Sequence, residues 1–393
     1  MTRSMSRCVK ANMIKILYIV STLQRCGPTQ QLFNLIKYLD RKYCHPDILT
    51  LSKEPHDSSI DEFIRLGIPV SSLKLDRFTS FFRAQGQIHD YISQHKPDII
   101  HSNGFRADIF SARIRDNVHT MTTLRNHLFE NYAYDFGWAG KFLIAPIHLR
   151  MFHRIEKAIT VSQTLSKRLS EDYGFACDVV PNGVDQEFFF PVETARKLQI
   201  RTQLGLPLDH RIFSVMGYLS ALKDPVCVAE GFLKAAIPDA TLIFLGDGVM
   251  RKKLELLSKT GNILLTGRVK DVKTYLQASD FLISGSHTEG MPNAVLEAMA
   301  CGLPCILSDI RAHREIARYS PASTRLFRVK DAQNLADKIR EVLDQDYVKM
   351  SCAAFEAVNQ NFSAKIMSKN YLYIYKSILN QKQTPAGETQ DPD

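Results

Sequence analysis

Two glutamates frame one short segment of this chain, Glu289 and Glu297, with seven residues between them. The residues before the first glutamate, 280–284, form an apolar run that is long enough for a buried strand. Apolar side chains at helical spacing follow over 293–300, and the loop between strand and helix holds two glycines and a proline. Strand–loop–helix units of this kind build parallel sheets. We therefore expect one carboxylate just before a helix and the other two turns inside it.

The start of this helix is predicted to bind a phosphate. Its first backbone N–H groups have no partner inside the helix, and together with the helix dipole they form an anion site. The two carboxylates are suited instead to accepting hydrogen bonds from neutral hydroxyl groups, such as those of a sugar and a ribose. The segment therefore predicts a nucleotide-sugar site, and the alternative is a buried helix capped by a glutamate. The residues expected to line the phosphate are Gly290, Met291, Pro292, Asn293 and Ala294.

The sequence around the two glutamates, EGMPNAVLEAMACGLP, resembles the signature of the retaining GT-B glycosyltransferases of family 4. The resemblance implies that Glu289 contacts the donor sugar and that Glu297 contacts the ribose. It also implies an α/β fold class, with two Rossmann-like domains that face a cleft and a C-terminal helix that crosses back to the first domain. The resemblance extends over residues 14–380 and is more specific in the second half, where PNGVD (181–185) resembles the family's interdomain junction.

A second loop in the C-terminal half, GYLSALKDP, carries a candidate cation. The family pattern has an arginine directly after Gly217 and a lysine six positions after that glycine. Lys223 fits this pattern, whereas Tyr218 replaces the arginine. An ammonium group at this place can neutralise a diphosphate. By the same resemblance, the loop with Arg268 and Val269 lies along the nucleobase, and Arg268 or the helix-start amides would compensate for the missing charge.

Two segments of the N-terminal half are candidates as well. Gly27 lies between the first predicted strand and helix, where the family usually has two glycines, and a backbone close to phosphate requires such a residue. After a strand at 119–124, the family often has a histidine that faces the reacting sugar. Alignment puts Arg125 at that position, although arginine stays protonated and is a poor base, and His127 lies two residues on. We treat both as candidate catalytic groups together with Glu289. The alternatives are an ordinary strand–helix turn and a loop histidine without a role.

Strands and helices alternate along most of the chain, which favours doubly wound parallel sheets. Met13 directly precedes the first predicted strand and, like Met5, is an alternative start residue. The predicted domains are a leader expected to be disordered (1–12), an acceptor-side Rossmann-like domain (13–190), a nucleotide-sugar-binding Rossmann-like domain (191–361), a helix that packs on the first domain (362–380) and a disordered tail (381–393).

Composition limits the classes of partner. The 393 residues are 45% hydrophobic and 23% charged, and no apolar run reaches the ~18 residues of a membrane span. The net charge is +9, and residues 1–42 hold eight basic side chains against one acid, so the first domain could contact an anionic membrane or substrate. We find no nucleic-acid-binding motif and expect no nucleic-acid partner. Eight scattered cysteines without metal-ligand spacing indicate no metal and a reducing, cytoplasmic location, with peripheral contact at the inner face of the membrane.

The segment 141–157 is amphipathic. Its apolar side includes Phe142, Leu143 and Ile147, and four basic residues lie elsewhere. One interpretation is a helix on a membrane surface that brings the protein to a lipid-linked acceptor. The other is a helix that faces the core, which we favour because most amphipathic helices bury their apolar stripe in protein.

These observations predict a metal-independent glycosyltransferase that has no cofactor and uses a nucleotide sugar as co-substrate. It would move a hexose or N-acetylhexosamine, with UDP-sugars favoured, to a glycan or lipid-linked acceptor in surface-polysaccharide or glycolipid assembly. Retention of the anomeric configuration follows from the family resemblance. Helix-start amides and Lys223 would stabilise the departing diphosphate. The alternatives are a non-catalytic nucleotide-sugar-binding partner of an active glycosyltransferase and a nucleotide-sugar epimerase or hydrolase of the same fold.

Overall fold

The computed structural model describes residues 13–75, 81–114 and 117–380 as two sheets with flanking helices. The elements before residue 190 are β1 (Ile14–Val20), α1 (Gly27–Lys37), β2 (Cys44–Ser52), α2 (Ile60–Arg65), β3 (Val70–Leu75), α3 (Phe81–His95), β4 (Ile99–Asn103), α4 (Phe105–Ser111), β5 (His119–Leu124), α5 (Leu128–Ala139), a π-helical turn (Gly140–Ile144), α6 (Ala145–Phe152), β6 (Lys157–Thr160), α7 (Gln163–Tyr173) and β7 (Asp178–Val179). The later elements are α8 (Thr194–Leu204), β8 (Arg211–Met216), α9 (Pro225–Ala235), β9 (Ala240–Leu245), α10 (Arg251–Leu257), a 3-10 turn (Ser258–Thr260), β10 (Ile263–Gly267), α11 (Val272–Ala278), β11 (Phe281–Ser284), α12 (Asn293–Ala300), β12 (Cys305–Ser308), α13 (Arg311–Tyr319), β13 (Thr324–Phe327), α14 (Ala332–Leu343), α15 (Tyr347–Asn361) and α16 (Ala364–Asn380).

Both sheets have the strand order of nucleotide-binding folds. The first sheet runs β3-β2-β1-β4-β5-β6-β7 and the second runs β10-β9-β8-β11-β12-β13. In each, the order reverses beside the first strand, and ligands of doubly wound folds bind at that point. The pairings of the second sheet are parallel, with β8 paired to β9 from Arg211 opposite Ala240 to Met216 opposite Leu245. The predicted α/β fold class with Rossmann-like sheets is confirmed.

The chain divides into two compact units, and the division differs from the predicted boundaries. The first unit comprises the described parts of Met1–Leu124, Pro146–Ile159 and Ser368–Asp393, and the second comprises Arg125–Ala145 and Thr160–Met367. Residues 125–145 and 160–190 therefore group with the second unit rather than with the first. The predicted leader (1–12) and tail (381–393) lie outside the described residues.

In the second unit, a buried charge cluster and aromatic packing fix the strand that leads to the two glutamates. The rings of Phe213 and Phe281 stack with centroids 5.0 Å apart. Asp280, directly before β11, is buried and accepts from Arg201 Nη2 at 2.7 Å and from Lys197 Nζ at 3.1 Å. Because both cations compensate this carboxylate, its burial is tolerated. The start of β11 is thereby held in the core.

In the first unit, a buried polar network joins α16 to the sheet. The hydroxyls of Tyr18 and Tyr375 lie 2.9 Å apart, and His101 Nδ1 lies 2.9 Å from the Tyr375 hydroxyl. Thr123 Oγ1 lies 2.9 Å from both His101 Nε2 and the Tyr371 hydroxyl. Buried polar groups need such partners, because an unpaired one would cost its full desolvation. The second half of α16 is thus bonded to strands β1, β4 and β5.

The amphipathic segment 141–157 differs from the favoured prediction. It forms the π-helical turn, α6 and the start of β6, and it follows α5, which the sequence patterns did not predict. Phe142, Leu143 and Ile147 are exposed, whereas Ile155 is buried. A core-facing stripe is therefore wrong for the first three of these residues. The physical reason for the first two is the backbone kink at Gly137 and the close packing of Gly140 against α5, which orient the π-helical turn that carries them.

Candidate functional site

Two glycines fix the loop 285–292 between β11 and α12. A Cβ on Gly285 would lie 3.1 Å from the carbonyl oxygen of Asp224, at the start of α9. A Cβ on Gly290 would lie 1.7 Å from the carbonyl oxygen of Arg125, which precedes α5. No side chain fits at the second position, so glycine is needed for this close backbone approach. The loop is therefore held against two other segments of the second unit.

Glu289 forms an ion pair inside this loop. Lys223 Nζ donates to Glu289 Oε1, and Ser286 Oγ donates to the same oxygen at 2.8 Å. Burial alone would raise the pKa of Glu289, but the Lys223 ammonium and these hydrogen bonds hold that pKa below its usual range. The carboxylate is therefore ionised at neutral pH and is positioned by a cation from a distant part of the sequence.

The loop that carries Lys223 is itself bonded to the glutamate loop. It starts at Gly217, whose φ of 131° lies in the region that favours glycine. It ends at Asp224, whose side chain accepts from the N–H of Cys227 and so caps α9. His287 Nε2 lies 2.9 Å from Asp224 Oδ2, and the N–H of His287 donates to the carbonyl of Leu222 at 2.8 Å. These bonds hold the cation and the carboxylate together.

Glu297, on α12, has the opposite electrostatic environment. Its side chain is partly open to solvent although protein atoms surround it. Among the described residues, no side chain or backbone group makes a hydrogen bond or ion pair with its carboxyl group. The protein atoms around the carboxyl group displace water from it, and this desolvation raises the pKa of Glu297 to about 8. The carboxyl group is therefore mostly protonated at neutral pH and is available to hydroxyl partners.

The start of α12 has no side-chain cap. Pro292 occupies the cap position in extended conformation and makes no capping hydrogen bond. Asn182, from the PNGVD segment, is buried and donates to the Met291 carbonyl at 3.2 Å and to Asn293 Oδ1 at 2.8 Å. Arg125 Nη1 donates in turn to Asn182 Oδ1 at 3.0 Å. The helix start thus keeps the partial positive charge of its dipole, without a carboxylate cap.

A cavity of about 300 Å³ lies beside Glu289, and His127 is one of its lining residues. His127 caps α5, because its Nδ1 accepts from the N–H of Glu130 at 3.4 Å. The residue is only 6% exposed, and its Nε2 has no hydrogen-bond partner among the described residues. Burial and then the nearby Arg168 guanidinium lower the pKa of His127, so the ring is neutral at neutral pH. The bond at Nδ1 assigns the proton to Nε2.

Glu130 joins three segments at the wall of this cavity. Arg168 Nη2, on α7, lies 2.6 Å from Glu130 Oε1, and Thr288 Oγ1 donates to Glu130 Oε2 at 2.7 Å. Burial would raise the pKa of Glu130, but the bonds from Arg168 and Thr288 lower it below its usual range. Arg311, at the start of α13, also lines the cavity and makes no ion pair with the described residues. The cavity can therefore bind a group with hydroxyls and negative charge.

Matches to known families cover both halves of the chain. Residues 27–188 match the family described as Glycosyltransferase Family 4, and residues 217–345 match the one described as Glycosyl transferases group 1. The two sheets described above have the strand order expected of two Rossmann-like domains. The chain is a GT-B glycosyltransferase of family 4.

The curated relatives of this glycosyltransferase include three that are themselves named as glycosyltransferases. It is 28% identical over 58% of its length to an Escherichia coli UDP-Gal:alpha-D-GlcNAc-diphosphoundecaprenol alpha-1,3-galactosyltransferase, and 29% identical over 56% to a putative teichuronic acid biosynthesis glycosyltransferase of Bacillus subtilis. The alignments span 61% and 56% of those relatives. It is 22% identical to an O-antigen biosynthesis glycosyltransferase of Escherichia coli, over 94% of this chain and 99% of the relative.

Solved structures share the fold of this glycosyltransferase. A glycosyltransferase from Rickettsia africae superposes with a TM-score of 0.77 at 20% identity, covering 95% of this chain and all of the other. An Anabaena protein in complex with UDP and glucose superposes with a TM-score of 0.76 at 19% identity, covering 93% of this chain and all of the other. At such identities the superpositions establish the GT-B fold.

The remaining predicted site residues lie in two places. Gly27 begins α1 in the first unit and is exposed. Arg268 and Val269 follow Gly267, which has a φ of 72°, and lie after β10 in the second unit. Arg268 is exposed, and Val269 packs against a buried apolar cluster of that unit.

Three polar residues at the site were missed by sequence reasoning. Two of them, Glu130 and Arg168, line the cavity, and the third, Ser286, bonds to Glu289. None of the three belongs to a motif with a recognised spacing. Glu130 lies shortly after Arg125 and His127, the candidates for the position of the family's histidine. This closeness in sequence was the signal that could have indicated a role for Glu130. The π-helical turn, α6 and β6 separate Arg168 from Glu130 along the chain, so only the folded chain reveals the pair.

Neither a metal site nor a membrane span is found in the part of the chain that the structure describes. In residues 13–75, 81–114 and 117–380, no three His, Cys, Asp or Glu side chains come together in a way that could hold a metal ion. Over the same ranges, no helix combines the length and the hydropathy of a transmembrane segment.

Proposed function

We propose that this glycosyltransferase moves a hexose or N-acetylhexosamine from a nucleotide sugar, with UDP favoured, to a glycan or lipid-linked acceptor. The observation that carries the proposal is the arrangement on and around α12. The start of α12 is uncapped, Glu297 lies unpaired within α12, and Glu289 in the loop before α12 is paired with Lys223 from a distant part of the sequence. This combination offers positive charge to a diphosphate and carboxylates to hydroxyl groups.

The proposed chemistry is electrostatic and needs no metal and no cofactor. As the bond to the sugar breaks, negative charge develops on the diphosphate, and the α12 start and Lys223 stabilise it. Glu289 accepts hydrogen bonds from sugar hydroxyls while Lys223 keeps it ionised. Glu297 accepts hydrogen bonds from the ribose, which favours its charged form over the protonated one. The anomeric configuration is retained because the acceptor attacks from the face that the diphosphate leaves.

The cavity with His127 and Arg311 is proposed to hold the reacting sugar or the acceptor hydroxyl. His127 is neutral at neutral pH, so it lines this cavity without supplying a positive charge. Arg125 acts through Asn182 on the loop before α12, so we assign it a positioning role. Gly27, Arg268 and Val269 stay candidates for phosphate and nucleobase contact.

The proposed biological setting is the assembly of surface polysaccharide or glycolipid. The relatives named above include an enzyme for a diphosphoundecaprenol acceptor and others for teichuronic acid and O-antigen. A cytoplasmic protein that contacts the inner face of the membrane, and no nucleic acid, fits a lipid-linked acceptor. The net charge of +9 supports contact with anionic lipid.

The test is release of nucleotide from a panel of UDP-sugars, with and without acceptor lipid. We expect release from one donor, accelerated by the acceptor, and its loss in Glu289→Gln. Glu356→Gln, an exposed glutamate on α15 of the same unit, is the matched control and should keep full turnover. No release from any donor would refute the proposal.

A non-catalytic nucleotide-sugar-binding protein is the second candidate, because Tyr218 stands where the family has an arginine. That candidate predicts UDP binding without turnover of any donor. Measuring UDP affinity by calorimetry alongside nucleotide release separates the two candidates.

A further inference from the structure

Large apolar side chains are exposed together at the end of α5 and in the π-helical turn. Within ten residues, 134–143, five such side chains reach solvent, and we call this segment the aromatic tip. Trp138, the only tryptophan of the chain, is 69% exposed. Single exposed apolar residues are ordinary on a protein surface, whereas a group marks an interaction surface. The five residues are Tyr134, Phe136, Trp138, Phe142 and Leu143.

The backbone of the aromatic tip is shaped by two glycines. Gly137 has a φ of 60° and a ψ of −140°, a conformation that side-chain-bearing residues rarely adopt. A Cβ on Gly140 would lie 1.9 Å from the carbonyl oxygen of Tyr132, so only glycine lets the turn pack against α5. The kink and the close packing leave the aromatic rings on the outside of the unit.

The chemistry of the aromatic tip fits a lipid interface. Tryptophan and tyrosine combine an apolar ring with a polar N–H or O–H group, and both are enriched where hydrocarbon meets headgroups. The Trp138 and Phe142 rings lie 5.7 Å apart, and Lys141 Nζ lies 5.4 Å from the Phe142 ring centroid. Positive charge beside exposed rings is complementary to anionic headgroups.

We propose that the aromatic tip, residues 134–143, inserts into the headgroup region of an anionic membrane and docks this glycosyltransferase at the bilayer surface. The proposal rests on the proposed function in one respect, that a lipid-linked acceptor lies in a membrane. It differs from the expected contact through the basic residues 1–42, because it assigns the contact to the second unit.

Trp138 reports on this contact directly, since no other tryptophan contributes to the emission. The full-length protein is mixed with vesicles of phosphatidylcholine, with and without one third phosphatidylglycerol. We expect a shift of the emission to shorter wavelength and co-sedimentation with the anionic vesicles, and weaker binding at high salt because screening reduces the attraction. No shift and no co-sedimentation with anionic vesicles would overturn the proposal.

Two double variants distinguish vesicle binding through the aromatic tip from non-specific binding through exposed apolar residues elsewhere. Phe142→Ser with Leu143→Ser should reduce the vesicle partition coefficient at least about tenfold, because two apolar anchors are lost. Val249→Ser with Leu256→Ser removes two exposed apolar residues from another segment and should leave binding unchanged. Circular dichroism and UDP binding establish that both variants fold. Equal vesicle binding by the two variants contradicts the proposal.

Two further outcomes are informative. Self-association of the free protein that the Phe142→Ser, Leu143→Ser variant abolishes would assign the aromatic tip to a second copy and overturn membrane docking. Vesicle binding without nucleotide release would refute the proposed function and leave docking intact, and the reverse result would refute docking alone.

Discussion

Removing the cation beside Glu289 should destabilise the second unit in a pH-dependent way. Lys223→Met keeps the length of the side chain but leaves the Glu289 carboxylate buried without its partner. Breaking a buried ion pair from one side costs about 3–5 kcal/mol. Because the Lys223 side chain is 34% exposed, water screens the pair, and we take about 2 kcal/mol at pH 7. A unit of this size should then unfold roughly 4–8 °C lower.

The pH dependence follows from the direction of each pKa shift. In the native chain the pKa of Glu289 is lowered below 4.5, so its stabilisation is present above pH 4.5 and is lost as pH falls through the lowered value. In Lys223→Met the ammonium no longer opposes the effect of burial, so we expect the pKa of Glu289 to rise above 4.5. The variant is then destabilised as pH rises from 4.5 towards that raised pKa. The difference in Tm between the two proteins should therefore be largest near pH 7 and small at pH 4.

Thermal unfolding by calorimetry at pH 4, 5, 6 and 7 measures this difference. Lys338→Met is the control, since Lys338 pairs with the half-exposed Glu341 and its loss should cost less than about 0.5 kcal/mol at every pH. Adding Glu289→Gln to Lys223→Met should restore most of the lost stability. A difference in Tm that is the same at pH 4 and pH 7, or a double variant no more stable than Lys223→Met, would refute the reasoning.

Four further outcomes test the site. Glu297→Gln should raise Tm increasingly from pH 5 to pH 8, because the raised pKa of about 8 makes the native glutamate lose stability as pH rises through that range, while the same change weakens UDP binding measured by calorimetry. Gly290→Ala should abolish nucleotide release and lower Tm, since its Cβ would lie 1.7 Å from a backbone oxygen, whereas Gly86→Ala, with open space around its Cβ, should be neutral or slightly stabilising. Tyr218→Arg should tighten UDP binding by about tenfold, because a charged hydrogen bond contributes roughly 1.5 kcal/mol or more; unchanged affinity would argue against a phosphate near this loop. Thr288→Val should cost about 1 kcal/mol through its lost hydrogen bond to a carboxylate, and chemical denaturation that detects no change would contradict that contact.

Local sequence patterns predicted those strands and helices that contain an uninterrupted apolar run or apolar residues at helical spacing. The strand 119–124 and the helix 293–300 match the observed bounds, because apolar runs and helical spacing report burial directly. Helix α13 was missed, since its sequence RAHREIARY has few apolar residues to define a stripe.

The tertiary structure decided whether the apolar side of the segment 141–157 faces the core or the solvent. Periodicity showed that Phe142 and Leu143 share a side, and the base expectation for such a stripe is burial in protein. The observed exposure depends on the backbone kink at Gly137 and on the packing of Gly140 against α5. Both need the preceding helix in place, which no local pattern specified.

The two glutamates illustrate the same division. Their spacing and the motif around them predict that both belong to a nucleotide-sugar site at the start of one helix. The sequence could not separate their protonation, because Lys223, which lowers the pKa of Glu289, lies 66 residues away along the chain. Glu297 has no such partner, and burial raises its pKa to about 8. A pKa depends on desolvation and on charges brought close by folding, so the tertiary structure alone made one glutamate an ionised, paired group and the other a protonated, unpaired one.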